Sequence, residues 1–198
     1  MDERTLLAYD EHAAGYCDEW LSQPPAADLQ RLWRHFFNAG GRTADIGSGS
    51  GRDVDWLSRN GYPCEGWDGS GRLVAEAGRR FPRWRFQESR LPELAGVPTA
   101  AYANVVCETV IMHLSAGEIE PAVRSLGRIV APEGTLYLSW RVGADADMRD
   151  PAGRLYSAFS VQTVRETLAG WRLLYDVEET SESSGKRVQR LVARRDAR

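Results

Sequence analysis

The sequence predicts an α/β fold: a mostly parallel sheet with helices on both faces, preceded by a helical cap and closed by an antiparallel hairpin. Three observations carry this. Strand-like and helix-like segments alternate from Thr43 onward, and such alternation specifies parallel strands joined by helical crossovers. The first of these strands runs into three glycines at alternate positions, Gly47, Gly49 and Gly51, directly before a helical pattern. The last two apolar runs are joined by the polar turn Ser181-Glu182-Ser183-Ser184-Gly185, which reads as a hairpin placing an antiparallel strand at an edge.

The 198 residues suit one domain with a substantial core. Residues 1–41 read as the cap and 43–198 as the sheet-bearing core. A net charge of −3 gives no global attraction to nucleic acid or to an anionic membrane. No apolar run approaches membrane-spanning length, and the charged start Met1-Asp2-Glu3-Arg4 is unlike a signal peptide. Cys17, Cys64 and Cys107 show no C-x-x-C spacing and read as reduced cytosolic thiols, not a zinc site. A cytoplasmic monomer or homodimer is the expectation.

The elements follow in order. A helix containing Tyr9, Tyr16 and Trp20 precedes Pro24-Pro25, and a second helix spans Asp28–Asn38 on the apolar stripe of Leu29, Leu32, Trp33, Phe36 and Phe37. A strand lies near 43–47, and a helix from Arg52 to Asn60 stops at Gly61. Pro63–Trp67 reads as a strand, and Ser70 caps a helix that buries Leu73, Val74, Ala77 and Phe81. Trp84–Gln87 and Asn104–Cys107 read as strands. Ser115 and Glu118 form a capping box, with Pro121 opening the regular helix after one irregular turn. Strand Thr135–Trp140, a helix capped by Ser160, and strands Leu173–Val177 and Arg187–Val192 complete the chain.

The glycine loop carries the chemistry. Glycines let a ligand approach bare backbone, and the following helix start presents free N–H groups. A dinucleotide fingerprint, G-x-G-x-x-G, needs glycine at position 52 or 54, where Arg52 and Val54 stand. A phosphate-binding P-loop needs a Lys, and none is present. In open α/β sheets, ligands bind beyond the carboxyl ends of the strands, so Asp45, Asp68, Glu88, Glu108 and Arg141 come to the fore. Asp68 follows the loop by about the 20 residues that separate a dinucleotide loop from its ribose-binding carboxylate.

Asp45-x-Gly47-x-Gly49-x-Gly51 resembles motif I of the class I S-adenosylmethionine-dependent methyltransferases. Gly66-Trp67-Asp68-Gly69-Ser70 is similar to that family's second motif, and Gln87-Glu88-Ser89-Arg90-Leu91-Pro92 to its third. The nearest resemblance is to small bacterial tellurite-resistance-like methyltransferases. It implies a Rossmann-like sheet of seven strands, with helices of the cap over the cofactor cleft. It also implies that Asp45, Gly47, Ser48 and Gly49 cradle the amino-acid end of S-adenosylmethionine, with the acid receiving the ammonium. Asp68 and Gly69 then meet the ribose, and Glu88 with Ser89 the adenine. Glu108 and the segment after it line the methyl side. Tyr16, on a Tyr-rich cap helix, folds over the methionine end. The family's Phe-Asp before the fourth strand is replaced here by Tyr102-Ala103, a departure in which Asn104 is the candidate replacement.

On the acceptor side, His113 has two open readings: a general base suited to neutral pH, or a structural residue capping the Ser115 turn. Tyr16 reads equally as aromatic packing. Arg141, Arg149, Arg154 and Tyr156 flank a long polar segment, Val142–Tyr156, that reads as a lid with arginines for an anionic substrate or simply as solvated surface. The implied reaction is methyl transfer to a small-molecule acceptor by in-line displacement, with S-adenosylhomocysteine as product and no metal. RNA or protein methylation is the first rival, resting on the arginines of 79–85 and of the 186–198 tail, which otherwise read as solvated. A non-enzymatic cofactor-binding module is the second.

Overall fold

The computed structural model of the protein describes residues 1–143 and 146–197. Ala144, Asp145 and Arg198, which belong to the segment read as a lid and to the arginine-bearing tail, lie outside the described residues.

Strands β1 (Thr43–Ile46), β2 (Cys64–Asp68), β3 (Phe86–Glu88), β4 (Tyr102–Cys107), β5 (Val130–Arg141), β8 (Arg172–Thr180) and β9 (Arg187–Arg194) form one sheet in the order β3-β2-β1-β4-β5-β9-β8. The first five run parallel, and β9 pairs antiparallel with both β5 and β8. This is the expected Rossmann-like sheet with its closing hairpin. Reversal of strand order beside β1 creates the crevice where such sheets take ligands.

Helices α4 (Arg52–Arg59), α5 (Gly71–Arg80), α6 (Ala116–Ile129) and α7 (Val161–Thr167) are the crossovers. One apolar layer joins α6 and α7 to the sheet through Ile119, Leu126, Val164, Leu136 and Leu191. The opposite layer packs α3 (Ala27–Phe36) and α4 through Leu29, Trp33, Val54 and Leu57. Arg190 on β9 is buried to 1 % exposure between Asp28 of α3 at 2.6 Å and Glu179 of β8 at 2.8 Å. That ion triad ties the hairpin to the cap.

Four local expectations change. The first cap helix is two, α1 (Glu3–Glu11) and α2 (Ala13–Ser22), because His12 at φ −122° and ψ 22° leaves the helical region. The α6 helix runs through Pro121 from Ala116, held by its capping box and by five buried side chains on one face. Strand β5 begins at Val130, not Thr135, since Val130 already pairs with Tyr102 before a register shift. The described part of 142–156 is not an open loop. It holds a short hairpin of β6 (Met148–Arg149) and β7 (Leu155–Tyr156).

Asn104 is fully buried at the opposite end of β4 from the crevice. Its amide accepts from Asn38 N at 2.8 Å and donates to Thr43 Oγ1 at 3.1 Å. Tyr102 donates its hydroxyl to Glu65 at 2.8 Å. The family departure therefore falls on the packing of α3 against the sheet. No helix among the described residues is long and apolar enough to cross a membrane. Of the arginines of 79–85, Arg79 and Arg80 pair with Glu76, Arg80 also with Asp18, and Arg85 lies 3.9 Å from Glu65.

Candidate active site

A cavity opens at the carboxyl ends of β1, β2, β4 and β5. The cap, the β6–β7 hairpin and the tip of the β8–β9 hairpin complete its walls. Its floor is the glycine loop. Gly47 has φ +79°, and a Cβ there would drive into Val110. Its N–H and that of Ser48 donate to Trp67 O at 2.7 and 3.1 Å, which locks the loop to the end of β2. Gly49, at φ +50°, has the Trp20 ring 2.9 Å from where a Cβ would sit. These positions need glycine for conformation and for close approach together. Ser48 Oγ is buried and has no hydrogen-bond partner among the described residues.

Three carboxylates face this floor. Asp45 is 3 % exposed, and its carboxyl is pushed well above the usual range by burial first and then by Asp53 and Asp68. Burial also raises Asp68 and Glu108. Asp68 accepts from Gly49 N and from Ser70 N, both at 2.9 Å. Glu108 Oε2 accepts from the Tyr137 and Ser139 hydroxyls, each at 2.5 Å. Arg52 is held by Asp53 at 3.0 Å, so it neutralises its neighbour, and none of the three acids has an ion-pair partner among the described residues. Such a pocket favours a cation or a donor of several hydrogen bonds.

The other half of the cavity is aromatic and basic. His113, 3 % exposed, shares Nδ1 with Leu155 O at 2.6 Å and Nε2 with the Tyr9 hydroxyl at 2.9 Å. The carbonyl can only accept, so Nδ1 carries the proton and Nε2 receives the Tyr9 O–H. Burial lowers the His113 pKa to about 4. Tyr156 meets the His113 ring edge to face at 4.9 Å. Arg141 lies over the Tyr156 ring at 5.6 Å, and Arg154 reaches over Tyr9 and Tyr16 while paired to Asp150 at 2.7 Å.

Asp45, Gly47, Ser48, Gly49, Asp68, Gly69, Ser89, Glu108, His113, Arg141 and Tyr156 all line this one cavity. Two sequence-read candidates stand off its wall. Glu88 is half exposed and sits 3.5 Å from Arg90, because strand alternation turns it away from the side that Ser89 presents. Tyr16 stacks on Trp20 at 5.5 Å and 16°, leaving Tyr9 and Trp20 to face the cavity. His113 caps nothing at Ser115. It joins the η-turn at Ile111–His113 to β7 and to α1.

The sequence offers both Tyr9 and Tyr16 on the cap and favours Tyr16, assigns Trp20 no role, and reads Ser181, Ser183 and Ser184 only as a turn, yet Tyr9, Trp20 and these serines line the cavity. A signal for the serines existed. Strand β8 runs parallel to β5, so the turn that follows it must return to the carboxyl edge where ligands bind.

A glycine loop, a strand-end carboxylate on either side of it and a covering cap define a nucleotide-type cofactor site in an open α/β sheet. The family described as "Methyltransferase domain" matches residues 17–173, and the chain belongs to it. Among solved structures, the chain is similar to 1,6-didemethyltoxoflavin-N1-methyltransferase of Burkholderia thailandensis, solved with 1,6-didemethyltoxoflavin and S-adenosylhomocysteine bound. That match has a TM-score of 0.70 at 19% identity and covers 96% of this chain and 88% of that one. A TehB-like methyltransferase from Corynebacterium glutamicum matches at TM-score 0.69 and 19% identity, over 94% and 99% of the two chains. The [4+2]-cyclase SpnF matches at TM-score 0.68 and 18% identity, over 86% and 81%. No curated protein matches the sequence at a significant level.

Proposed function

We propose that the protein transfers a methyl group from S-adenosylmethionine to a small-molecule acceptor. The supporting observation is the group of buried acids, Asp45, Asp68 and Glu108, facing a glycine loop whose Ser48 hydroxyl lacks a partner. S-adenosylmethionine suits this set. It brings an ammonium and a sulfonium to raised carboxyls and ribose hydroxyls to Asp68, whose oxygens keep a free lone pair each beside their backbone bonds.

Position around the cavity supports these residue roles. Asp45, Gly47, Ser48 and Gly49 hold the amino-acid end. Asp68 and Gly69 hold the ribose, and Ser89 with Leu91 borders the adenine. Glu108, fixed by Tyr137 and Ser139, borders the methyl side. Tyr9 and Trp20 take the covering role first read into Tyr16. When bound, the cofactor would supply an electrophilic methyl carbon and a sulfide leaving group that keeps the carbon–sulfur electron pair. The chain's part is to align the acceptor and exclude water. His113 acts in this scheme as a latch between cap and hairpin, because both ring nitrogens are engaged and its basicity is low. The acceptor nucleophile therefore enters in its reactive form.

Titration calorimetry with S-adenosylhomocysteine tests the first half, and binding in the micromolar range is expected. Absence of binding sinks the reading. Because a [4+2]-cyclase has the same fold, turnover must be read by mass, as a gain of one methyl group on the acceptor.

A further inference from the structure

Resting on the methyltransferase reading, we infer that the acceptor is a planar aromatic acid, its anionic group held by Arg141 and its ring laid against Tyr156. Charge is segregated within the cavity. Asp45, Asp53, Asp68 and Glu108 lie at the ends of β1, β2 and β4 and at the start of α4. No carboxylate among the described lining residues stands at the β5 end, the Ile111–His113 turn or β7. Those elements and the turn leading into β7 contribute Met112, His113, Arg141, Arg154 and Tyr156.

The two arginines differ. Arg154 is neutralised by Asp150, packed over two tyrosine rings and occupied. Arg141 has one hydrogen bond among the described residues, to the Tyr156 hydroxyl at 3.4 Å, and no carboxylate partner there. Its guanidinium stands over the Tyr156 ring, so its fork of N–H donors and an aromatic face lie side by side at the cavity mouth. A fork of this kind matches a carboxylate bidentately, and the Tyr156 ring beside it, braced edge to face by His113 at 71°, offers an aromatic surface to an acceptor ring. A cationic acceptor would meet Arg141 at the mouth and add its charge to the cofactor's sulfonium. A neutral one would gain nothing from the exposed Arg141 guanidinium. The acidic half serves the cofactor and the basic half serves an anion.

The experiment uses protein saturated with S-adenosylhomocysteine, whose binding is verified in the same titration. Failure of the cofactor reading thus shows separately from failure of this one. Three matched probes, 2-naphthoate, 2-naphthamide and 2-naphthylmethylamine, are titrated by ligand-observed NMR, with cyclohexanecarboxylate as the non-aromatic control. The naphthoate should bind about tenfold more tightly than the amide and than cyclohexanecarboxylate, with the amine weakest. Arg141→Met should erase the preference for naphthoate over naphthamide, and Tyr156→Leu its preference over cyclohexanecarboxylate. An amide or amine that binds as tightly as the acid overturns the inference. So does a preference that survives Arg141→Met, or an absence of binding by every probe while the cofactor product is bound.

Discussion

The Asp68 carboxylate holds the glycine loop as well as facing the cavity: its Oδ2 accepts the backbone N–H of Gly49 at 2.9 Å. The same group therefore shapes the floor and offers lone pairs to a ligand. Hydrogen bonds to a charged group contribute about 1.5–3 kcal/mol each. Asp68→Ala should weaken S-adenosylhomocysteine binding by about 10- to 100-fold in calorimetry, and Asp68→Asn by less, since one carbonyl oxygen remains to accept. An unchanged affinity in both variants would remove Asp68 from the site.

Glycine at 47 is required by two effects that add. Its φ of +79° disfavours any side chain, and a Cβ would collide with Val110. Gly47→Ala should lower stability by about 1–3 kcal/mol in urea unfolding. Gly78, inside α5 with nothing within 4 Å of a built Cβ, is the contrast. Gly78→Ala should raise stability by about 0.5–1 kcal/mol, because it restricts the unfolded chain and favours the helix. Equal effects at the two positions would contradict this account of the loop.

The fold was legible because its signals are local. The glycine spacing, the Ser70 cap and the Ser115–Glu118 capping box each act within a few residues, and each is found where the sequence puts it. Asp68 and Glu108 were legible because strand ends in such sheets converge on one edge. What escaped were the contacts made by distant segments. Tyr9 meets His113 across 104 residues, and Leu155 N donates to Thr5 Oγ1 across 150. No period or motif encodes which aromatic of a cap helix turns inward, so Tyr16 was favoured where Tyr9 and Trp20 line the cavity. At Glu88 the motif was found, but its acidic residue and the cavity-facing one are neighbours. A pleated strand sends neighbours to opposite faces.

That alternation gives a direct comparison at the end of β3. The Glu88 side chain is 53% exposed beside Arg90, while Ser89 is buried with its Oγ donating to Ala95 O at 3.0 Å. Glu88→Ala should leave S-adenosylhomocysteine affinity within about threefold of the unsubstituted protein, as surface changes usually do. Ser89→Leu, which fills the cavity edge, should abolish detectable binding. A large loss in Glu88→Ala would return the adenine contact to that side chain.

The latch at His113 makes stability depend on pH in a defined direction. In the unfolded chain the imidazole titrates near 6.5, and in the fold burial lowers its pKa to about 4. Between these values the unfolded state takes up a proton that the native state refuses. The contribution is thus fully present above pH 6.5 and lost as pH falls toward 4. A shift of this size corresponds to about 3 kcal/mol. Asp45, Asp68 and Glu108 have raised pKa values and act with the opposite sign on acidification, so the total curve mixes both. Comparison with a His113→Gln variant isolates the histidine. The variant should be less stable at pH 7, through lost contacts to Tyr9 and Leu155, yet should lose less further stability than the parent between pH 6.5 and 4.5. Urea midpoints across that interval measure the difference. Parallel curves would show that His113 titrates alike in both states, and a rate profile with an inflection near pH 6.5 that vanishes in the variant would restore it as a base.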